Sequence, residues 1–205
     1  ISSFIFRAFF SIRPLHAHDG TPVNAVYGVM NMLMKMIANH QPTHIVMARD
    51  LSGPGFRHEI YEDYKANRSE APEDLKPQFA LIEQLLDLMK LPEISAENYE
   101  ADDIVGSLAV QYADKFDEVI IASGDKDLMQ FVSDKVVMLD TMKNKKYDRD
   151  GVFEKMGVWP EQIVDYLSLV GDTSDNIPGV RGIGAKGAAK LLDKYQTLEN
   201  VFDHV

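Results

Sequence analysis

The chain has 205 residues, 45% of them hydrophobic and 26% charged, which suits one large or two small globular domains with an adequate core. It contains no cysteine, which excludes disulfides, thiolate metal sites and cysteine nucleophiles. No apolar run approaches the roughly 20 residues that span a bilayer and no signal peptide is visible, so a cytosolic protein without membrane contact is expected. The net charge of −11 argues at first against a nucleic-acid partner, because phosphate neutralisation normally shows as a basic excess. The surplus is uneven: residues 1–98 carry nine basic and twelve acidic side chains, residues 99–205 twelve and twenty. Much of the second excess comes from Glu100, Asp102, Asp103, Asp125, Asp127, Asp172 and Asp175, and if these bind metals the working charge is less negative.

In chain order, Ile1 to Phe10 reads as a helix with Ser2 or Ser3 available as its cap. A parallel sheet needs a strand before it, so a first strand is expected ahead of Ile1. From Pro22 to Asn39 the apolar positions Val23, Val26, Val29, Met30, Leu33, Met34 and Ile37 repeat with helical period; Pro22 suits the first turn, and Met30, Met32, Met34 and Met36 read as core filling. Thr43 to Ala48 reads as a strand ending at Arg49-Asp50, and an acidic residue just past such a strand points to the ligand edge of an open α/β sheet. After a Gly/Pro loop from Leu51 to Gly55, the stretch Phe56 to Arg68 interleaves aromatic and cationic side chains over three expected helical turns. It reads either as a solvated helix with i,i+4 charge pairs or as one offering Arg57, Lys65 and Arg68 to phosphates and a ring to a base. Pro72 to Met89 is an amphipathic helix closed by Pro92.

Tyr99-Glu100-Ala101-Asp102-Asp103 opens the next predicted helix, with Glu100 and Asp103 three positions apart on one face and Asp102 beside them at the positively polarised end. Glu118 to Ser123 then reads as a buried strand that releases Asp125 and Asp127 at the ligand edge. Carboxylates converging in this way repel one another unless something cationic neutralises them, and a divalent metal is the simplest neutraliser. Taken singly, Glu100 or Asp172 reads better as a helix cap; the cluster favours a metal. Another strand, Lys135 to Asp140, leads into a hairpin through Lys143-Asn144-Lys145-Lys146, whose lysines read as a solvated turn or a phosphate contact. From Val152 onward the pattern is helical. There Asp172 and Asp175 stand three apart, and Gly179, Gly182 and Gly184 precede a helix with Arg181 and Lys186 alongside, a loop able to grip a phosphodiester backbone without reading bases. The spacing fits neither a dinucleotide fold nor a P-loop. The six histidines show no ligand spacing, and no Ser-His-Asp set stands out.

Tyr99 to Asp103, Gly124 to Asp127, Phe56-Arg57-His58-Glu59, Tyr64-Lys65 with Arg68, and Gly171 to Lys186 together resemble the bacterial 5′-3′ exonuclease family. That family comprises the N-terminal nuclease domain of DNA polymerase I and its stand-alone relatives, akin to flap endonucleases. The resemblance implies an α/β, PIN-like (resolvase-like) domain over residues 1–150, with a mostly parallel sheet flanked by helices, and a helical helix-three-turn-helix subdomain over 151–205. It implies structure-selective hydrolysis of branched or flapped DNA and of RNA–DNA primer junctions, in replication and repair, with a polymerase domain following in some members. Carried over by residue, Glu100, Asp102 and Asp103 hold one metal, Asp125, Asp127, Asp172 and Asp175 a second, and Asp50 adds a further ligand. Arg7, Lys65 and Arg68 contact the scissile phosphate, and Tyr64 stacks on a base or supports the arch. The loop Ile177 to Gly184 holds the duplex, with its carbonyls offering a place for a potassium ion.

Two departures stand out. A further metal-ligating Asp of the family falls immediately ahead of Ile1, and Arg49 stands where the family has an aromatic or apolar residue, so that a cation beside Asp50 would compete with a metal. Two divalent ions about 4 Å apart supply an activated water, charge neutralisation and a stabilised leaving oxygen. Mg²⁺ or Mn²⁺ suits an all-carboxylate site better than Zn²⁺. The rival readings are a DNA-binding scaffold that does not cut and a metal-dependent phosphatase of small phosphoesters.

Overall fold

The computed structural model describes residues 1–204 apart from Ser52, Pro54 and Met142. Two residues of the expected Leu51–Gly55 loop and the last residue of the expected helical subdomain thus lie outside the described residues. The elements run α1 (Ser2–Ser11), α2 (Asn24–His40), β1 (Met47–Ala48), α3 (Phe56–Ile60), α4 (Lys76–Leu88), β2 (Glu93–Ile94), α5 (Ala101–Tyr112) and β3 (Val119–Ala122). After a 3₁₀ helix (Lys126–Phe131) come β4 (Val136–Asp140), β5 (Lys145–Tyr147), α6 (Arg149–Met156), a second 3₁₀ turn (Pro160–Gln162), α7 (Ile163–Val170), β6 (Gly171–Asp172), β7 (Ile177–Pro178), α8 (Ala185–Tyr195) and α9 (Leu198–Phe202). They form two compact units, Ile1–Gly55 with Ser69–Ile104, and Phe56–Arg68 with Val105–Val205. Among the described residues no helix is long and apolar enough to cross a membrane.

In the first unit α1 buries Phe4, Ile5 and Ala8, and α2 buries Ala25, Val29 and Leu33 at four-residue spacing, the stripe that a core-facing helix needs. Met30 and Met34 fall off that stripe and are exposed, correcting the expectation that they fill the core. Pro22 lies outside α2, in an isolated bridge with His16, so it does not open the helix. Instead the buried Gln78 of α4 accepts the Ala25 N–H at 2.7 Å and donates to Asn24 at 2.9 Å. This satisfies a helix-start donor that would otherwise be orphaned in the core. α4 begins at Lys76 rather than Pro72, because Pro77, which has no N–H, sits comfortably in the first turn. β1 and β2 pair in parallel over two residues, Met47↔Glu93 and Ala48↔Ile94. The expected strand over 43–48 is thereby shortened: only Met47 and Ala48 find ladder partners.

In the second unit β3 and β4 run parallel from Val119↔Val136 to Ala122↔Leu139, and β5 returns antiparallel on β4 as the expected hairpin. Ile121, Leu128, Met129, Val136, Met138 and Tyr147 pack with Val152, Ile163, Leu169 and Leu192, so one core joins the strands to the later helices. A two-residue ladder, Gly171↔Pro178 and Asp172↔Ile177, interrupts the expected all-helical region. Gly171 has φ +77°, and a Cβ there would lie 2.3 Å from the Gly179 nitrogen; only glycine lets the two backbones cross. The predicted three-turn helix from Phe56 to Arg68 ends at Ile60 and continues as turns, with Lys65 in the left-handed region at φ +58°. A helix cannot pass through that conformation, and the docking described below fixes it.

Candidate metal and nucleic-acid site

The first unit gathers its acidic residues at the start of α5. Glu100 is the residue before the helix; its N–H donates to Asp103 Oδ2 at 2.9 Å, while its carbonyl accepts from the Asp103 N–H at 3.1 Å. This is the side-chain half of a capping box. Asp50, two residues beyond β1, accepts the Ala101 N–H on Oδ1 and the Ser2 hydroxyl on Oδ2, each at 2.8 Å. Ser2 therefore serves Asp50, a link that chain spacing does not announce. Asp102 is half-buried in the first turn of the same helix. Arg49 does not compete for Asp50: it bonds Glu83, and its other guanidinium nitrogen lies 3.7 Å from Glu93. Arg7 lies half-buried on α1 of this unit.

The second unit presents its acidic residues differently. β3 ends at Ala122, the Asp125 N–H donates to Ser123 Oγ at 3.1 Å, and Asp125 in turn caps the 3₁₀ helix by accepting the Asp127 N–H at 3.1 Å. Asp172, 8% exposed, accepts the Ser174 N–H at 2.8 Å and lies 3.4 Å from Lys126 Nζ. Lys126, between two candidate ligands, went unassigned in the sequence although its position should have flagged it. Asp175 receives Tyr64 Oη at 3.0 Å and Arg68 at 2.5 Å, with Lys65 Nζ at 4.0 Å. Asp127 Oδ1 is buried without a hydrogen-bond partner. Burial first, then the charges of Asp125 and Asp172, push its carboxyl up to about 7 against the pull of Lys126.

Within neither unit do three Asp, Glu or His side chains among the described residues already form a cage for an ion. The donor set nonetheless fits a hard divalent cation. Its ligands are carboxylate oxygens, and Asp127 holds a buried oxygen without a hydrogen-bond partner, which a cation would satisfy.

Tyr64 is 5% exposed, with His58 packed edge-on at 5.3 Å, so in this conformation its ring supports the Lys65 segment and is not offered to a base. Arg57 lies over the Phe56 ring at 4.7 Å. Gly179, Arg181, Gly182 and Gly184 are exposed on the turn leading into α8, and Lys186 is exposed in its first turn. Gly182 has φ +86°, and Cβ atoms placed on Gly182 and Gly184 would meet nothing within 4 Å, leaving this backbone open to an outside partner. Lys146 of the β4–β5 hairpin pairs with Glu118 at 2.8 Å.

Comparison with known proteins accounts for the whole chain. Residues 1–157 match the family described as 5′-3′ exonuclease, N-terminal resolvase-like domain, and residues 158–205 match 5′-3′ exonuclease, C-terminal SAM fold. The 5′-3′ exonuclease of Aquifex aeolicus is 41% identical over 200 residues, covering 98% of this chain and 69% of that protein. DNA polymerase I of Bacillus caldotenax is 46% identical over 204 residues, but the match spans only 23% of its length. Among solved structures, the T5 5′-exonuclease with bound divalent zinc ions superposes with a TM-score of 0.82 over 100% of this chain and 76% of that one, at 23% identity. A T5 D15 flap endonuclease complex with DNA and metal ions gives a TM-score of 0.77 at 23% identity, over 87% of this chain and 70% of that one. The chain belongs to the 5′-3′ exonuclease family, with a resolvase-like domain followed by a SAM-fold domain.

Proposed function

We infer that this chain is the divalent-metal-dependent nuclease module that hydrolyses phosphodiester bonds at the 5′ ends of branched or flapped DNA and at RNA–DNA primer junctions. Its family supplies the reaction class. The observation that carries the reading into this chain is the second unit's acidic set, where Asp127 keeps a buried oxygen without a partner beside Asp125 and Asp172. On this reading Glu100, Asp102 and Asp103, with Asp50 behind them, hold one metal, and Asp125, Asp127, Asp172 and Asp175 hold another. Mg²⁺ or Mn²⁺ is the natural occupant of such all-oxygen donors. When bound, these ions would supply an activated water and neutralise charge on the phosphoryl and leaving oxygens.

The protein's own groups complete the reaction. Lys65 and Arg68 neutralise the scissile phosphate, with Arg7 as a further cationic contact, and Tyr64 positions Lys65 by packing under it, with Lys65 Nζ 4.8 Å from its ring centroid. The exposed Gly179–Gly184 turn, with Arg181 and Lys186 at its sides and Arg57 as a further contact, holds the duplex backbone through N–H groups and charge rather than base edges. Carbonyls of the Ile177–Gly184 loop would take a potassium ion. We place the PIN-like exonuclease domain at residues 1–150 and the helical duplex-binding subdomain at 151–205, the latter lending Asp172 and Asp175 to the second metal. The relatives named DNA polymerase I support a polymerase domain in the same polypeptide as this segment.

A 5′-flap oligonucleotide incubated with and without Mg²⁺ tests the reading. Cleavage abolished by EDTA is expected. Binding without cleavage would favour a non-cutting scaffold, and hydrolysis of p-nitrophenyl phosphate alone would favour a small-molecule phosphatase, for which the exposed glycine turn has no use.

A further inference from the structure

We propose that Asp175 is a stand-in for the substrate phosphate, holding Lys65 and Arg68 until a metal takes its carboxylate and frees the two cations for DNA. The inference rests on the nuclease reading and adds to it a coupling between metal binding and DNA binding.

Three donors from one short segment converge on this side chain: Tyr64 Oη and Lys65 Nζ at 3.0 and 4.0 Å from Oδ2, and Arg68 at 2.5 Å from Oδ1. The segment is fastened there by its backbone as well. The Lys65 N–H donates to the Asp175 carbonyl at 3.0 Å, Asn67 Nδ2 to the Thr173 carbonyl at 2.7 Å, and Asn176 Nδ2 to the Asp63 carbonyl at 2.8 Å. A planar carboxylate that receives a guanidinium and faces an ammonium offers the same charge and acceptor pattern as a phosphodiester. Lys65 and Asp175 side chains are only 17% and 16% exposed, so their attraction is screened less than that of a surface pair. Arg68, at 56%, can swing outward without unpacking.

A divalent ion drawn to Asp175 would compete with both cations for the same two oxygens. Lys65 and Arg68 would then lose this counter-charge. Because the coupling is a free energy shared by two sites, DNA would tighten metal binding by the factor that metal tightens DNA.

Binding of a 5′-phosphorylated flap oligonucleotide carrying phosphorothioates at the junction, followed by anisotropy in EDTA and in Ca²⁺, tests the exchange. Asp125→Asn, which removes one charge and leaves Asp175 in place, serves as the reference. Asp175→Asn is expected to bind DNA roughly three- to tenfold tighter than Asp125→Asn in EDTA. Its dependence of log affinity on log salt should steepen by about 1.4–1.8, the contribution of two added phosphate contacts. The Lys65→Ala, Arg68→Ala double variant should weaken binding in Ca²⁺ and leave it unchanged in EDTA. Equal losses in both conditions, or Asp175→Asn binding no tighter than Asp125→Asn, would overturn the exchange. Failure of the nuclease reading is seen separately, as wild-type protein leaving an unmodified flap uncut in Mg²⁺.

Discussion

The two acidic sets are built from carboxylates that different elements fix in place. At the start of α5, Asp50 and Asp103 are held by backbone N–H groups and the Ser2 hydroxyl, at a helix end whose dipole favours negative charge. In the second unit, Asp172 and Asp175 lean on Lys126, Lys65 and Arg68, while Asp127 keeps one oxygen unpartnered. Paired cations and a deficit make the second set responsive to whatever positive charge arrives.

The largest effect should come from removing that charge or its ligands. EDTA, or Asp172→Asn, is expected to lower flap cleavage by about 10³-fold or more, several kcal/mol of transition-state stabilisation. Single-turnover rates measure it. Cleavage that persists in EDTA would break the comparison at its root, because the deficit at Asp127 would then have no catalytic meaning. Next in size is Lys65→Ala, for which cleavage should slow by roughly 10²–10³ with a much smaller loss of DNA affinity. Equal losses in rate and affinity would assign Lys65 to general binding.

Much of this arrangement was legible in the sequence. The acids at 100–103 and 125–127 stand where helix spacing and the end of β3 put them, and β3 and β4 are each visible as an apolar run, although their parallel pairing is not. The stretch 56–68 was misread because what shapes it is not local. Lys65 takes a left-handed backbone held by Asp175, more than a hundred positions later, and no helical period reports such a contact. β1 was overextended for a related reason: Thr43 to Val46 are strand-like in composition, but β2 offers partners to only two residues. Arg49 looked like a rival for Asp50 through adjacency alone, and its bond to Glu83 needed α4 in place beside it. The missing partner of Asp127 is a property of packing that neighbouring residues do not announce.

Asp127 supplies the third test. Its carboxyl is raised from 3.8 to about 7, so the folded state holds this proton more tightly than the unfolded chain does. Stability from this group is full below about pH 4, falls as pH rises toward 7, and is level above that. An unscreened shift of this size corresponds to about 4 kcal/mol; a site partly open to solvent retains about 1–2 kcal/mol. Metal-free Asp127→Asn should therefore be more stable than wild type by about 1–2 kcal/mol at pH 8 and indistinguishable from it at pH 4, measured by urea denaturation. Mg²⁺ should narrow the gap by stabilising the wild type more than the variant.

The smallest effect carries the sharpest contrast, because the same substitution applied to the other set should act with the opposite sign. Asp103→Asn keeps an oxygen for the Glu100 N–H but removes a charge from the positive end of α5, and it should destabilise by about 0.3–1 kcal/mol. Asp103→Ala removes the acceptor as well and should cost about 1–1.5 kcal/mol. Salt should shrink the Asn effect and leave most of the added Ala cost, since only the former is Coulombic. If Asp103→Asn and Asp127→Asn shifted metal-free stability in the same direction at pH 8, the two sets would not differ in how they are satisfied. The deficit at Asp127 would then be no more than ordinary crowding among acids.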